Sequence, residues 1–265
     1  ILEQRSSAEA KPIQAVLEDV MVRMDARMKH EHALGGVETG FTDLDTLCGG
    51  LHNSELIILA ARPSMGKTAL AMNIAEHISI NSHQPVLFVS LEMASLELAD
   101  RLLCSAAQVN GHRLRNGTIS QEDRRRLVQK SSEISSAPLY IDDTPGRTLT
   151  EIAAVARRLK RKQGLSIIVI DYLQLIEPDN PRDPRQEQVA RIARRLKTMS
   201  RELDIPILCL AQLNRQAEVS RDNRPRLNHL RESGAIEQDA DVVMFVHREE
   251  YYQTTDEDRE RVKGE

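Results

Sequence analysis

Apolar residues change their spacing several times along this chain, and each change marks an element. Ile13, Val16, Leu17, Val20, Met24 and Met28 recur at three- and four-residue intervals, with Glu18, Asp19, Arg23 and Asp25 between them. That period puts the apolar set on one face of a helix. Pro12 stands at the first turn, where its missing N–H is no loss. The helix is expected to stop near Leu34-Gly35-Gly36. Phe41–Cys48 reads as a short helix, with capping-box-like spacing between Thr42 and Asp45 and a Gly49-Gly50 stop.

From Leu56 the pattern switches. Short continuous apolar runs lie at Leu56–Ala60, Val86–Ser90, Leu139–Ile141, Ile167–Ile170, Pro206–Ala211 and Val242–Val246. Helical periods separate them at Thr68–Ile80, Ser95–Gln108, Gln121–Ser132, Leu149–Gln163 and Gln188–Leu203. Pro178–Arg185 and the arginine-rich Gln216–Asn228 read as polar loops. Unbroken apolar runs are strands covered on both faces. Their alternation with helices predicts an α/β fold, a mostly parallel central sheet with helices on both faces. The division expected is a tail and amphipathic helix over 1–34 and an α/β domain over 35–265.

Composition narrows the function classes. The chain is 40% hydrophobic and 29% charged over 265 residues, in the range of a soluble globular protein. Its longest nearly unbroken apolar run, Ile205–Ala211, is far short of the ~20 residues of a membrane helix, so no membrane partner is expected. Six charged residues between Glu3 and Asp19 leave no apolar core for a signal peptide. Cys48, Cys104 and Cys209 are odd in number and widely spaced, forming neither a disulfide framework nor a metal pattern. A reducing, cytoplasmic location is the expectation. The net charge of −4 gives no global attraction for nucleic acid, and the absence of Trp, with three Phe and four Tyr, disfavours base stacking. Any nucleic acid would be held by its phosphates.

The chemistry concentrates at the ends of the apolar runs. Leu56–Ala60 leads into Ala61-Arg62-Pro63-Ser64-Met65-Gly66-Lys67-Thr68, and a helical stretch follows. Strand, glycine-lysine-threonine and helix in that order are a P-loop arrangement, with backbone N–H groups and a helix N-terminus aimed at phosphates. Lys67 is positioned to reach the β- and γ-phosphates, and Thr68 to ligate Mg²⁺. The generic pattern has glycine where Ala61 stands. Asp171 ends the Ile167–Ile170 run, where a carboxylate can hold the metal's water shell. Glu92 follows Val86–Ser90 and suits a general base, while Gln212 follows the run ending at Ala211 and suits a γ-phosphate contact. The basic stretch Arg157–Lys162 and the arginines Arg215, Arg221, Arg224 and Arg226 read as solvated faces.

Five blocks, in order, resemble the C-terminal motor domain of DnaB-type replicative helicases. They are Ala60–Thr68, Ser90-Leu-Glu-Met93, Ile170-Asp-Tyr-Leu-Gln174, Ala211-Gln-Leu-Asn-Arg215 and Leu230–Asp241. In that family the first P-loop position is commonly alanine, so Ala61 fits. The resemblance implies a RecA-like P-loop NTPase fold preceded by a linker helix, a homo-hexameric ring, and ATP with Mg²⁺ at subunit interfaces. It also implies translocation on single-stranded DNA that unwinds the duplex ahead, moving 5′ to 3′ on the encircled strand. By its motifs Glu92 is the catalytic base, Asp171 the Walker B acid and Gln212 the γ-phosphate sensor. Arg101 is a same-subunit arginine near the γ-phosphate. Arg231, Glu232 and Gly234 match the loop that holds the DNA backbone, Glu232 through an N–H or an internal ion pair rather than its charge.

The family also carries an N-terminal domain that engages primase, contacts to a helicase loader, and later strands bearing a trans-acting lysine and arginine. The chain is expected to be truncated before those strands. The residues alone leave two other readings open: a RecA-like DNA-dependent ATPase that remodels DNA or protein without unwinding, and a nucleotide-gated assembly module that barely hydrolyses ATP.

Overall fold

The computed structural model describes residues 12–29, 35–214 and 224–252, with the backbone alone at 19, 23, 26–29 and 231–235. The chain divides into two units, Ile1–Gly35 and Gly36–Glu265. The first holds α1 (Ile13–Lys29), whose Ile13, Leu17, Met21, Val22 and Met24 are exposed. Leu34 and the 1–10 tail lie outside the described residues.

The second unit is built on six strands: β1 (Leu56–Ala61), β2 (Val86–Ser90), β3 (Leu139–Asp142), β4 (Ile167–Asp171), β5 (Ile207–Gln212) and β6 (Val242–Val246). They lie in the order β3-β2-β4-β5-β1-β6, and every ladder is parallel. All six strands therefore end at one edge of the sheet, the edge where open α/β sheets bind ligands. Alternate residues feed opposite faces. Leu56, Ile58, Ala60, Ile168, Ile170, Ile207 and Cys209 pack against α7 (Leu149–Gln163) and α8 (Arg185–Leu203). Ile57, Leu59, Phe88, Ile167, Val169, Leu208 and Leu210 pack against α3 (Lys67–Glu76) and α4 (Ser95–Ala106). The result is a three-layer α/β/α sandwich, the fold class expected.

Several local expectations need correction. α2 (Thr42–Cys48) forms, but without a capping box: Phe41 is its N-cap and no side chain caps it. Asp45 instead turns back on the preceding chain, accepting from Thr39 N–H (2.9 Å), Thr39 Oγ1 (2.8 Å) and Gly40 N–H (3.2 Å). A buried carboxylate takes all three because they lie within its reach and nothing else satisfies it. The helix expected over 68–80 is α3 followed by a π-helical turn, His77–Asn81. α8 begins three residues earlier than its apolar period, because Arg185, Gln186 and Glu187 extend it on its polar face. The Arg157–Lys162 face is not simply solvated. Arg157 makes a two-point bond to Glu202 (2.8 and 3.0 Å), and Lys160 donates to the Leu203 carbonyl, tying α7 to the end of α8.

Among the described residues five short elements escaped the periodicity: α5 (Gly111–Arg115), α9 (Gly234–Asp239) and the 3-10 helices Leu173–Leu175, Leu227–Ser233 and Glu249–Tyr252. Two of the best-capped helices are α6 (Gln121–Ile134) and α7, each opened by a reciprocal box, Ser120 with Asp123 and Thr148 with Glu151. Among the described residues no helix is long and apolar enough to cross a membrane.

Candidate nucleotide site

β1 ends in a turn that its side chains could not make unaided. Gly66 has φ +96°, a backbone state open to glycine and strained for other residues, and it delivers Lys67 and Thr68 to the first turn of α3. Ala61, Arg62, Pro63, Ser64, Gly66, Lys67 and Thr68 line a cleft, while the Met65 side chain is buried away from it. The same cleft is lined by Glu92, Arg101 and Gln212. Four elements thus bring the sequence-predicted P-loop, base, arginine and glutamine to one place.

The carboxylate stands at the floor. β5 runs between β1 and β4, so the ends of these three strands set the P-loop, Gln212 and Asp171 side by side. Asp171 is fully buried. Thr68 Oγ1 donates to its Oδ2 at 2.6 Å, and Lys67 Nζ lies 3.6 Å from its Oδ1. That Oδ1 is buried with no hydrogen bond. Lys67 also sits 4.3 Å from the Tyr172 ring centroid, a cation–π contact. Burial, then the negative charges of Glu92 and Asp171, push the Tyr172 phenol above its usual value, partly offset by Arg185. Glu92 is set by the turn after β2. There Ser90 Oγ accepts from Met93 N–H (3.2 Å) and donates to its carbonyl (2.7 Å), while Leu91 N–H donates to the Asp171 carbonyl at 2.7 Å. Beneath the site, burial drives the Cys209 thiol far above its ordinary pKa, so it stays protonated.

Over residues 36–264 the chain matches the family described as the DnaB-like helicase C terminal domain. The chain belongs to that family. It is similar to the replicative DNA helicase DnaB of Geobacillus stearothermophilus, 40% identical over 260 residues, which is 98% of this chain and 57% of that protein. It is also similar to the replicative DNA helicase DnaB of Treponema pallidum, 47% identical over 92% of this chain and 55% of that one. The chain therefore spans a little over half the length of these curated relatives. Among solved structures, one titled the ATPase domain of G40P superposes with a TM-score of 0.88 at 37% identity, covering 94% of this chain and 88% of that one. Another, a DnaB-like replicative helicase described with its primase interactions, gives 0.84 at 38%, covering 94% and 59%. The DnaB-like assignment and the RecA-like α/β fold agree with the sequence expectation.

Within this DnaB-like domain, Arg231 and Glu232 fall on the 3-10 helix Leu227–Ser233 and Gly234 opens α9; their side chains lie outside the described residues. Arg215 and Arg221 lie outside them altogether. Three contacts at the site were not foreseen from sequence, one of them made by a residue already placed in the P-loop. Arg62 Nη1 donates to the Leu213 carbonyl at 2.7 Å, fastening the P-loop to the end of β5. Ser90 shapes the Glu92 turn. Gln174 bonds the backbone of Gln212. The signal for Gln174 was its place in the Ile170–Gln174 block, which marks a segment without saying what each residue does.

Proposed function

We propose that this chain is the motor domain of a replicative DNA helicase. In this reading it hydrolyses ATP between the subunits of a homo-hexameric ring, translocates on single-stranded DNA and unwinds the duplex at the fork. The observation that carries it is the gathering of Lys67, Thr68, Glu92, Arg101 and Gln212 around one cleft, with Asp171 at its floor. Lys67, the Ala61–Thr68 backbone and the α3 N-terminus hold the phosphates. The donor set fits Mg²⁺: a buried carboxylate oxygen without a hydrogen bond beside a threonine hydroxyl suits a metal that keeps most of its water. Thr68 and Asp171 would hold such an ion, which would offset the negative charge of the phosphates.

Glu92 is exposed to the cleft and acts as general base, accepting a proton from the water that attacks the γ-phosphorus in line with the departing β–γ oxygen. Arg101 and Lys67 offset the charge that builds up on the phosphoryl oxygens. Gln212 contacts the γ-phosphate and registers its loss. Arg231 and the Gly234 N–H contact the DNA backbone, giving sequence-tolerant binding that weakens with salt. Helix α1, with Ile13 71% and Val22 68% exposed, docks on a neighbouring subunit. Primase and a helicase loader are partners of the whole protein, which acts in the cytoplasm.

The test is ATP turnover against protein concentration, with and without single-stranded DNA. A rate per subunit that rises with both supports a motor whose sites need a neighbour. A flat, DNA-independent rate with ATP still bound points to a nucleotide-gated assembly module. DNA-stimulated turnover without strand separation on a forked duplex points to a remodelling ATPase.

A further inference from the structure

Gln212 ends β5 where one of its two neighbouring strands has run out. β1 accompanies β5 to the last residue, with Ala61 beside Gln212. Pairing with β4 stops at Ile170 and Cys209. The end of β5 therefore projects past β4, and its backbone groups on that side need another partner. Gln174, in the 3-10 turn Leu173–Leu175 that follows β4, supplies it from its side chain. Its Oε1 accepts from Gln212 N–H at 3.3 Å, and its Nε2 donates to the Gln212 carbonyl at 3.2 Å. A carboxamide offers the same donor and acceptor as a peptide unit, so Gln174 stands in for the missing strand residue.

Both ends of this clamp are themselves held. The Arg185 guanidinium at the start of α8 donates to the Gln174 main-chain carbonyl, and Leu173 beside it is fully buried. On the opposite side of β5, Leu213 N–H donates to the Ala61 carbonyl at 3.0 Å, and its carbonyl accepts from Arg62. The strand end is fixed from the Asp171 side by Gln174 and from the P-loop side by Arg62. The next residue, Asn214, donates its N–H to the His229 carbonyl at 3.3 Å, so the same strand end is hydrogen-bonded to the 227–239 segment.

We propose that Gln174 is a positioning residue for Gln212, its carboxamide replacing the absent strand neighbour and fixing the strand end from which Gln212 reaches the terminal phosphate. This rests on the reading of Gln212 as the γ-phosphate sensor. A sensor must be held well enough that loss of one phosphate changes its contacts, and misplacement by an ångström costs about a hundredfold in rate.

Gln174→Leu removes both bonds at similar volume. Amide hydrogen exchange across 207–214 is the first readout: protection of the Gln212 N–H is expected to fall about tenfold or more, while the neighbouring Leu213 N–H, bonded to Ala61, changes less. The second is ATP turnover on single-stranded DNA. It is expected to fall about tenfold to a hundredfold through kcat, with nucleotide affinity unchanged. Gln174→Glu, which keeps the length and the acceptor for Gln212 N–H, is expected to fall between and serves if the leucine variant does not fold. Combined with Gln212→Ala, Gln174→Leu should cost nothing more, because its effect runs through Gln212.

Retained Gln212 protection in Gln174→Leu overturns the proposal, as do additive losses in the double variant. Normal turnover in Gln212→Ala alone would instead remove the sensor reading, and the exchange measurement would still decide whether Gln174 holds the strand end.

Discussion

A lysine–aspartate pair stands at each end of this sheet, and the two are finished differently. Where the strands begin, Asp241 accepts from Leu56 N–H at 2.7 Å and from Lys197 Nζ through both oxygens at 2.8 and 2.7 Å. Lys197 also donates to the Ser54 carbonyl at 2.8 Å, which Ser200 Oγ shares at 3.0 Å. Where the strands end, Lys67 stops 3.6 Å from Asp171 Oδ1, and that buried oxygen has no hydrogen bond. The first pair is saturated and belongs to the scaffold. The second holds binding capacity in reserve at a cost in stability, as the proposed site for phosphate and a cation would require. Charge type does not separate the two; completeness of bonding does.

Substitutions at the two edges should therefore fail in different ways. The largest effect is expected from Glu92→Gln at the strand ends. The amide keeps the shape and loses the proton acceptor, so steady-state turnover should drop about a hundredfold to ten-thousandfold. Glu92 is exposed, so the melting temperature and ADP affinity should hold. Unchanged turnover would remove Glu92 from the role of base. At the strand starts, Asp241→Ala should do the reverse. It strands the N–H of fully buried Leu56 and frees Lys197, at about 2 kcal/mol in a urea melt, with turnover per folded molecule unaltered. A turnover defect of the size seen at Glu92 would erase the distinction between the edges.

The same contrast accounts for what could be read from the chain beforehand. Ile167–Ile170 and Leu56–Ala60 were legible as strands because helices cover both faces of each, leaving no polar interruption. Lys67, Thr68, Glu92, Asp171 and Gln212 were legible because each lies at or just past the end of such a run, and parallel strands bring their ends together. Lys197 and Asp241 were not, since 44 residues separate them and only the packing of α8 on α9, just ahead of Asp241, makes them neighbours. Gln174 was equally hidden, because its use depends on where β4 stops pairing with β5. The Thr42/Asp45 spacing misled for a related reason. A carboxylate three residues into a helix bonds whichever N–H groups the incoming chain presents, and here they come from Thr39 and Gly40.

The smallest expected effect lies away from both edges and calibrates them. In α7, Thr148 N–H and Oγ1 donate to Glu151 Oε2 at 2.9 and 2.8 Å, and Glu151 N–H donates back to Thr148 Oγ1 at 3.4 Å. Thr148→Ala should cost about 1 kcal/mol, half the Asp241 effect, with turnover intact. The cap also carries a pH signature. Bonds from the Thr148 N–H, then its hydroxyl, hold the Glu151 carboxyl below the ordinary glutamate value. A carboxyl with a depressed folded pKa stabilises the fold above its unfolded value and loses that contribution as pH falls through the folded one. The stability gap between the native protein and Thr148→Ala should therefore be widest near neutrality and narrow on acidification through and below the usual glutamate range. A gap that stayed constant with pH would mean that the Thr148 hydroxyl acts only by capping the Glu151 N–H, the carboxylate being held by the backbone N–H that the alanine variant keeps.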